Sequence, residues 1–150
     1  MLDGLKVLFV DDDADVLHLV KTLLAKAHAE VVTASSANEA LAMIDAARPD
    51  VIISDISMPG FDGYQFIESV RGRAIQTPAI ALTAQTDHDR AIEAGFDAHL
   101  SKPMRATTLI SAISNLLASV AHDREARLDA TGSAEDTSLS NFDLPLVVVD

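Results

Sequence analysis

Short aliphatic runs alternate with stretches of helical period from Leu5 to about Val120. The runs fall at Leu5–Val10, Glu30–Ala34, Val51–Ser54, Ala79–Leu82 and Ala98–Leu100. Between the first two, Val16, Val20, Leu23, Leu24 and Ala27 recur at the spacing of one helix face, and Leu109, Ile113, Leu116, Leu117 and Val120 repeat it near the end. Ser36-Ala37-Asn38-Glu39 reads as a capping box opening the second helix, and Pro49 stands just past that helix's end. Gly95 is placed to terminate the fourth helix in a left-handed conformation, and Asp13 to cap the first.

Strands alternating with helices imply parallel strands joined by right-handed crossovers. The first, third and fourth runs are almost wholly apolar, as strands covered on both faces are. The second and fifth are weaker and are expected nearer the sheet edges. Five such units predict an α/β, doubly wound (βα)5 sheet of flavodoxin-like order 2-1-3-4-5. The first and third strands then lie side by side at the switch point, where ligands bind beyond the carboxyl ends of the strands.

That placement gathers chemistry. Asp11, Asp12 and Asp13 follow the first strand and Asp55 closes the third. Carboxylates crowded into one crevice repel unless a cation shares them, and an all-oxygen donor set suits a hard divalent ion, Mg²⁺. Ser57 follows two residues after Asp55 and is placed to offer its main-chain carbonyl to that ion. Thr83 closes the fourth strand and Lys102 the fifth, so a hydroxyl and an ammonium face the same crevice. Pro103 makes Lys102-Pro103 a candidate cis peptide bond. Asp, Asp, Asp, Thr and Lys at the ends of four strands form a set able to move a phosphoryl group onto one carboxylate as an acyl phosphate.

Composition narrows the classes. Of 150 residues, 49% are hydrophobic but only 4% aromatic, so the core is expected to be aliphatic. With no cysteine there is no disulfide, zinc-thiolate site or thiol catalysis. No apolar run approaches the roughly 20 residues that cross a membrane, and with the first strand so early no signal peptide is expected. The expected location is cytoplasmic. A net charge of −12 opposes contact with nucleic-acid backbones.

Val10-Asp11-Asp12, Ser54-Asp55-Ile56-Ser57-Met58-Pro59-Gly60-Phe61-Asp62-Gly63, Leu82-Thr83-Ala84 and Ser101-Lys102-Pro103 together resemble the motifs of the receiver domains of two-component response regulators, over about residues 4–120. The resemblance implies a phosphorylation-activated signalling switch. Asp55 would be the phosphoacceptor. Asp12 would bind Mg²⁺ with help from Asp11 and the Ser57 carbonyl. Thr83 and Lys102 would hold phosphoryl oxygens. The phosphoryl group would come from the phosphohistidine of a sensor kinase or phosphotransfer protein. The domain would catalyse only its own phosphorylation and dephosphorylation and would not otherwise be an enzyme. The family usually carries Tyr or Phe three residues before this Lys. His99 stands there instead, so the switch is expected to be altered or pH-sensitive. Ser57 and Gln85, small or neutral, imply no unusual block to water at the acyl phosphate. The face of the fourth helix, fifth strand and fifth helix is the family's usual pairing surface, with Ala91, Ile92, Ala98, Leu100 and Thr107 as candidate contacts for a homodimer or an output partner.

Residues 1–120 are thus expected to form the receiver and 121–150 an acidic tail or linker. Ala130 to Ser138 is small, polar and acidic. The strand-like run Leu144-Pro145-Leu146-Val147-Val148-Val149 is read as a frayed tail rather than an extra docked strand or the start of another domain. A phosphorelay intermediate and a receiver excised from a larger protein are the alternatives within the class. A Mg²⁺-dependent phosphatase of the haloacid dehalogenase type would need a second Asp where Ser57 stands. A flavodoxin-type carrier would need a Ser, Thr and Gly-rich loop where the three Asp stand.

Overall fold

The computed structural model describes residues 2–83, 88–128 and 148–149. In chain order the elements are β1 Lys6–Val10, α1 Ala14–Lys26, β2 Glu30–Ala34, α2 Ala37–Ala47, β3 Val51–Asp55, α3 Gly63–Gly72, β4 Ala79–Thr83, α4 His88–Ala94, β5 Ala98–Ser101, β6 Met104–Arg105, α5 Ala106–Leu128 and β7 Val148–Val149. The first five strands form one parallel sheet of order β2-β1-β3-β4-β5, so the flavodoxin-like order is the observed one. β3 and β4 are buried throughout, whereas the edge strands β2 and β5 are mostly half-exposed.

The period-2 alternation of each inner strand feeds two cores. Val7, Phe9, Ile53, Ile80 and Leu82 pack with Val16, Val20 and Leu24 of α1 and Leu109 and Ile113 of α5. Leu8, Val10, Ile52 and Ala81 turn the other way, onto Ile44 of α2 and Phe66, Ile67 and Val70 of α3. Each fully buried aliphatic side chain contributes about 1.5–3 kcal/mol, and this two-sided burial holds the strand ends in register.

Local signals resolve unevenly. The Asp13 side chain caps α1, accepting from the amides of Asp15 and Val16. Only half of the capping box at Ser36 forms. Its hydroxyl accepts from the Glu39 amide, but Glu39 Oε1 turns to Ser35, which offers both its amide and its hydroxyl. The complete box is at Asp62 and Gln65, opening α3. Gly95 does take a positive φ of 130°, and a Cβ there would meet Arg71 Cγ at 2.9 Å. Arg71 uses that space to donate to the carbonyls of Gly95, Ile75 and Thr77, while pairing with Asp97 at 3.0 Å. Asp97 in turn accepts from the Ala79 amide, so one guanidinium clamps the entries to β4 and β5.

Toward the end of the chain the structure departs from the sequence reading. α5 continues to Leu128, past the change of texture at Ala121, because Ala121 to Leu128 is rich in the strong helix formers Ala, Arg, Glu and Leu. Val148–Val149 pairs antiparallel with Met104–Arg105 instead of ending free. Ala91 is buried in the core beneath α4, so it is withdrawn as a surface contact; its small side chain lets the short helix sit close to the sheet. Ile92 remains exposed, while Ala98 and Leu100 pack partly against the α1–α5 core. Gln85, Ala130 to Ser138 and Leu144 to Val147 lie outside the described residues. No helix among the described residues is long and apolar enough to cross a membrane.

Candidate functional site

The carboxyl ends of β1, β3, β4 and β5 meet because the register pairs Val10 with Ser54, Asp55 with Leu82 and Thr83 with Ser101. Asp55 and Thr83 are the last residues of their strands, each buried to 6% and 4% exposure. Asp11 follows β1 at 1% exposure, whereas Asp12 is exposed. One carboxylate oxygen from each of Asp11, Asp12 and Asp55 lies within 4.8 Å of the others. Lys102 Nζ stands 3.4 Å from Asp11 Oδ2 and 3.3 Å from Asp55 Oδ1, its side chain 20% exposed. The Lys102 amide donates to the Thr83 carbonyl at 2.8 Å, tying the two strand ends together, and the Lys102-Pro103 peptide bond is cis.

The loop after β3 is folded tightly under Asp55. The Ser57 amide donates to Asp55 Oδ1 at 3.3 Å. The Met58 and Gly63 amides both donate to the Ile56 carbonyl, and the Ile56 amide to the Leu82 carbonyl. Gly63 is required here: a Cβ would stand 2.5 Å from the Asp55 carbonyl oxygen and 2.7 Å from Ile56 Cα. On the other flank, the Asp13 amide donates to Asp11 Oδ1 at 2.9 Å, which fixes that carboxylate while Asp13 itself caps α1. Asp13 is therefore a helix cap rather than a member of the acidic cluster. Beside Ser57 and Thr83 lies a cleft of about 510 Å³ bordered by Met58 and Tyr64. The Arg90 guanidinium covers the Tyr64 ring at 4.1 Å, joining α4 to α3. That cleft wall was not foreseen; a cation and an aromatic ring from distant segments carry no local pattern.

Electrostatics follow from crowding. Burial, then the charge of Asp55, push Asp11 above the usual carboxylate range, against the Asp13 amide and Lys102. Burial also raises Asp55, with Asp12 adding to it and Lys102 and the Ser57 amide opposing. For Lys102 burial works against the ammonium, but Asp55 and Asp11 together outweigh it and raise its pKa. The signs set the pH behaviour. Lys102 contributes stability fully below its ordinary value, lost as pH rises through the raised one. The two aspartates, also raised, favour the fold while protonated and lose that contribution as pH climbs through their raised values. In metal-free protein Asp55→Asn is therefore expected to raise Tm at about pH 7.5 and to raise it less at about pH 5, measured by thermal unfolding in chelator. A lower Tm at the higher pH would contradict this.

Do these residues fit a hard divalent cation? Oxygens around an octahedral Mg²⁺ stand about 3.0 Å apart when adjacent and about 4.2 Å when opposite, so three oxygens within 4.8 Å reach one ion by closing no more than roughly 2 Å. The donor set is all oxygen, and two of the three carboxylates carry a desolvation cost that a cation would relieve. Asp11, Asp12 and Asp55 fit Mg²⁺.

Comparison with known proteins gives one answer. A family model described as the response regulator receiver domain matches residues 7–114. An uncharacterized 14.6 kDa protein of Leptolyngbya boryana is 37% identical over 114 residues, covering 73% of this chain and 87% of that one. Protein PilG of Pseudomonas aeruginosa is 35% identical, over 74% of this chain and 86% of its own. The solved chemotaxis protein CheY4 of Vibrio cholerae superposes with a TM-score of 0.71 at 36% identity, covering 75% of this chain and 98% of that one. Other relatives are longer. The chain spans 59% of the transcriptional regulatory protein PrrA of Mycobacterium tuberculosis and 8% of the hybrid histidine kinase D of Dictyostelium discoideum.

Proposed function

The chain belongs to the response regulator receiver domain family, the phosphorylation-activated switches of two-component signalling, and we propose that Asp55 is the carboxylate on which its switch turns. The observation that carries this reading is the meeting of Asp55 with Lys102 at 3.3 Å inside the three-carboxylate cluster. An Asp55 carboxylate oxygen forms the new O–P bond. The bond from phosphorus to the donor breaks: P–N when a phosphohistidine gives up its phosphoryl group and leaves as imidazole, P–O when acetyl phosphate leaves as acetate.

In this reading Lys102, 3.3 Å from Asp55 Oδ1, pairs with one phosphoryl oxygen and the hydroxyl of buried Thr83 bonds another. Preorganised donors at developing charge are the main source of catalysis in such transfers. When bound by Asp11, Asp12, Asp55 and the Ser57 carbonyl, Mg²⁺ supplies the remaining charge neutralisation at the phosphoryl oxygens. The partner is a sensor histidine kinase or histidine phosphotransfer protein, and the domain catalyses only its own phosphorylation and dephosphorylation. The receiver unit spans about residues 1–120, with α5 running on to Leu128 and Val148–Val149 returning to pair with β6. Ile92 is the exposed apolar residue on α4 around which a homodimer or output partner would pack.

Incubation with acetyl phosphate and Mg²⁺ is expected to add one phosphoryl group to the wild type by intact mass, and none to Asp55→Asn or to the wild type in chelator. Equal addition to the variant would overturn the assignment. His99 stands opposite Ala81 on β5, at the place of the family's usual aromatic partner of the switch Thr. It makes output binding pH-dependent between about pH 6 and 8. Matching affinity profiles for phosphorylated wild type and His99→Tyr would remove that reading.

A further inference from the structure

β6 belongs to no part of the five-stranded sheet. It follows directly on Lys102-Pro103 and leads into α5, and its strand partner among the described residues is β7. The pairing is antiparallel, Met104 opposite Val149 and Arg105 opposite Val148. β7 also lies against α1, the helix that starts just after Asp11, Asp12 and Asp13. Met104 is buried with Val16 and Leu109, so the core holds β6 in a fixed place.

We propose that the backbone edge of β6 is a strand-docking site beside the Asp55 pocket, and that its occupant is this chain's own aliphatic run ending in Val148–Val149. Two arguments beyond the pairing support the occupant. First, Leu146-Val147-Val148-Val149 is dominated by β-branched side chains, which favour an extended, half-buried strand.

Second, the reach is sufficient. β6 stands at the start of α5, and the 23 residues of that helix carry the chain about 34 Å away at 1.5 Å per residue. The roughly 19 residues between Leu128 and Val148 span about 60 Å fully extended and about 25 Å as a Gly/Ser-like coil. The return distance falls between these limits.

A tether of this length gives an effective concentration on the order of a millimolar, so below that the chain's own run outcompetes a second copy. Docking there occupies the flank of the pocket between α1 and Lys102.

Amide hydrogen exchange on the full chain tests the assignment. Val148→Pro combined with Val149→Pro removes both strand amides, and because hydrogen-bonded and non-hydrogen-bonded residues alternate along an antiparallel pair, one of the Met104 and Arg105 amides is expected to exchange several-fold faster than in the wild type. Ser138→Pro, remote in sequence from the pairing residues, should leave them unchanged. Identical exchange in the double-proline variant and the wild type overturns the docking site. Protection that grows with protein concentration together with a dimeric mass overturns the intramolecular occupant and gives the edge to a second copy.

Discussion

Gly63→Ala is expected to cost the fold about 3 kcal/mol, the upper part of the range for forced overpacking, and to lower Tm by roughly 10 °C for a domain of this size. The reason is backbone, not side chain. The new Cβ would stand 2.5 Å from the Asp55 carbonyl oxygen and 2.7 Å from Ile56 Cα, neither of which can rotate away. Relief requires α3 to retreat, which breaks the hydrogen bond from the Gly63 amide to the Ile56 carbonyl and loosens the turn that offers the Ser57 amide to Asp55. Gly72 in the same helix is the control, since a Cβ there meets nothing within 4 Å. Gly72→Ala should be neutral or stabilising by about 0.5–1 kcal/mol, the usual helical preference for alanine. Thermal and denaturant unfolding of the two variants checks the contrast, and equal stability would contradict the close approach.

Lys102→Ala is expected to slow labelling by acetyl phosphate about 10²–10³-fold, the usual cost of removing one donor aimed at developing charge, while tightening Mg²⁺ binding. The two effects oppose because the ammonium has two roles. It stands 3.3–3.4 Å from both Asp55 and Asp11, so it competes with a cation for the same carboxylates, and in the proposed transfer it pairs with the arriving phosphoryl oxygen. Lys102→Arg keeps the charge but replaces a compact ammonium with a planar fork, and should recover only part of the rate. Mg²⁺ titration alongside single-turnover labelling separates the roles. Weaker Mg²⁺ binding together with an unchanged rate would show that Lys102 is merely a structural counter-ion.

The sheet order and the meeting of Asp11, Asp12, Asp55, Thr83 and Lys102 were legible in the sequence because they depend on periodicity and strand ends. Burial on both faces leaves unbroken runs such as Val51 to Ile53, and parallel topology puts every strand's last residue at one edge. What escaped depends on contacts between distant backbone groups. The Arg71 clamp engages three carbonyl acceptors, and every residue has a carbonyl, so nothing in the sequence marks those partners. Glu39 prefers Ser35 to Ser36 because of donor geometry, which a capping pattern does not encode. Ala91 reads equally well on a surface or in a core, and the close seat of α4 on the sheet decides it. The two-residue strands β6 and β7 are too short for a period to register, and only their pairing reveals them.

Chemical trapping tests the central claim most directly. Protein labelled by acetyl phosphate in Mg²⁺ is reduced with borohydride, which converts an aspartyl phosphate to homoserine, and the residue is located by peptide sequencing in a mass spectrometer. Homoserine at position 55 alone is the expected result; homoserine at position 11 or 12, or a reduction-resistant phosphate on Thr83 or Ser57, would contradict it.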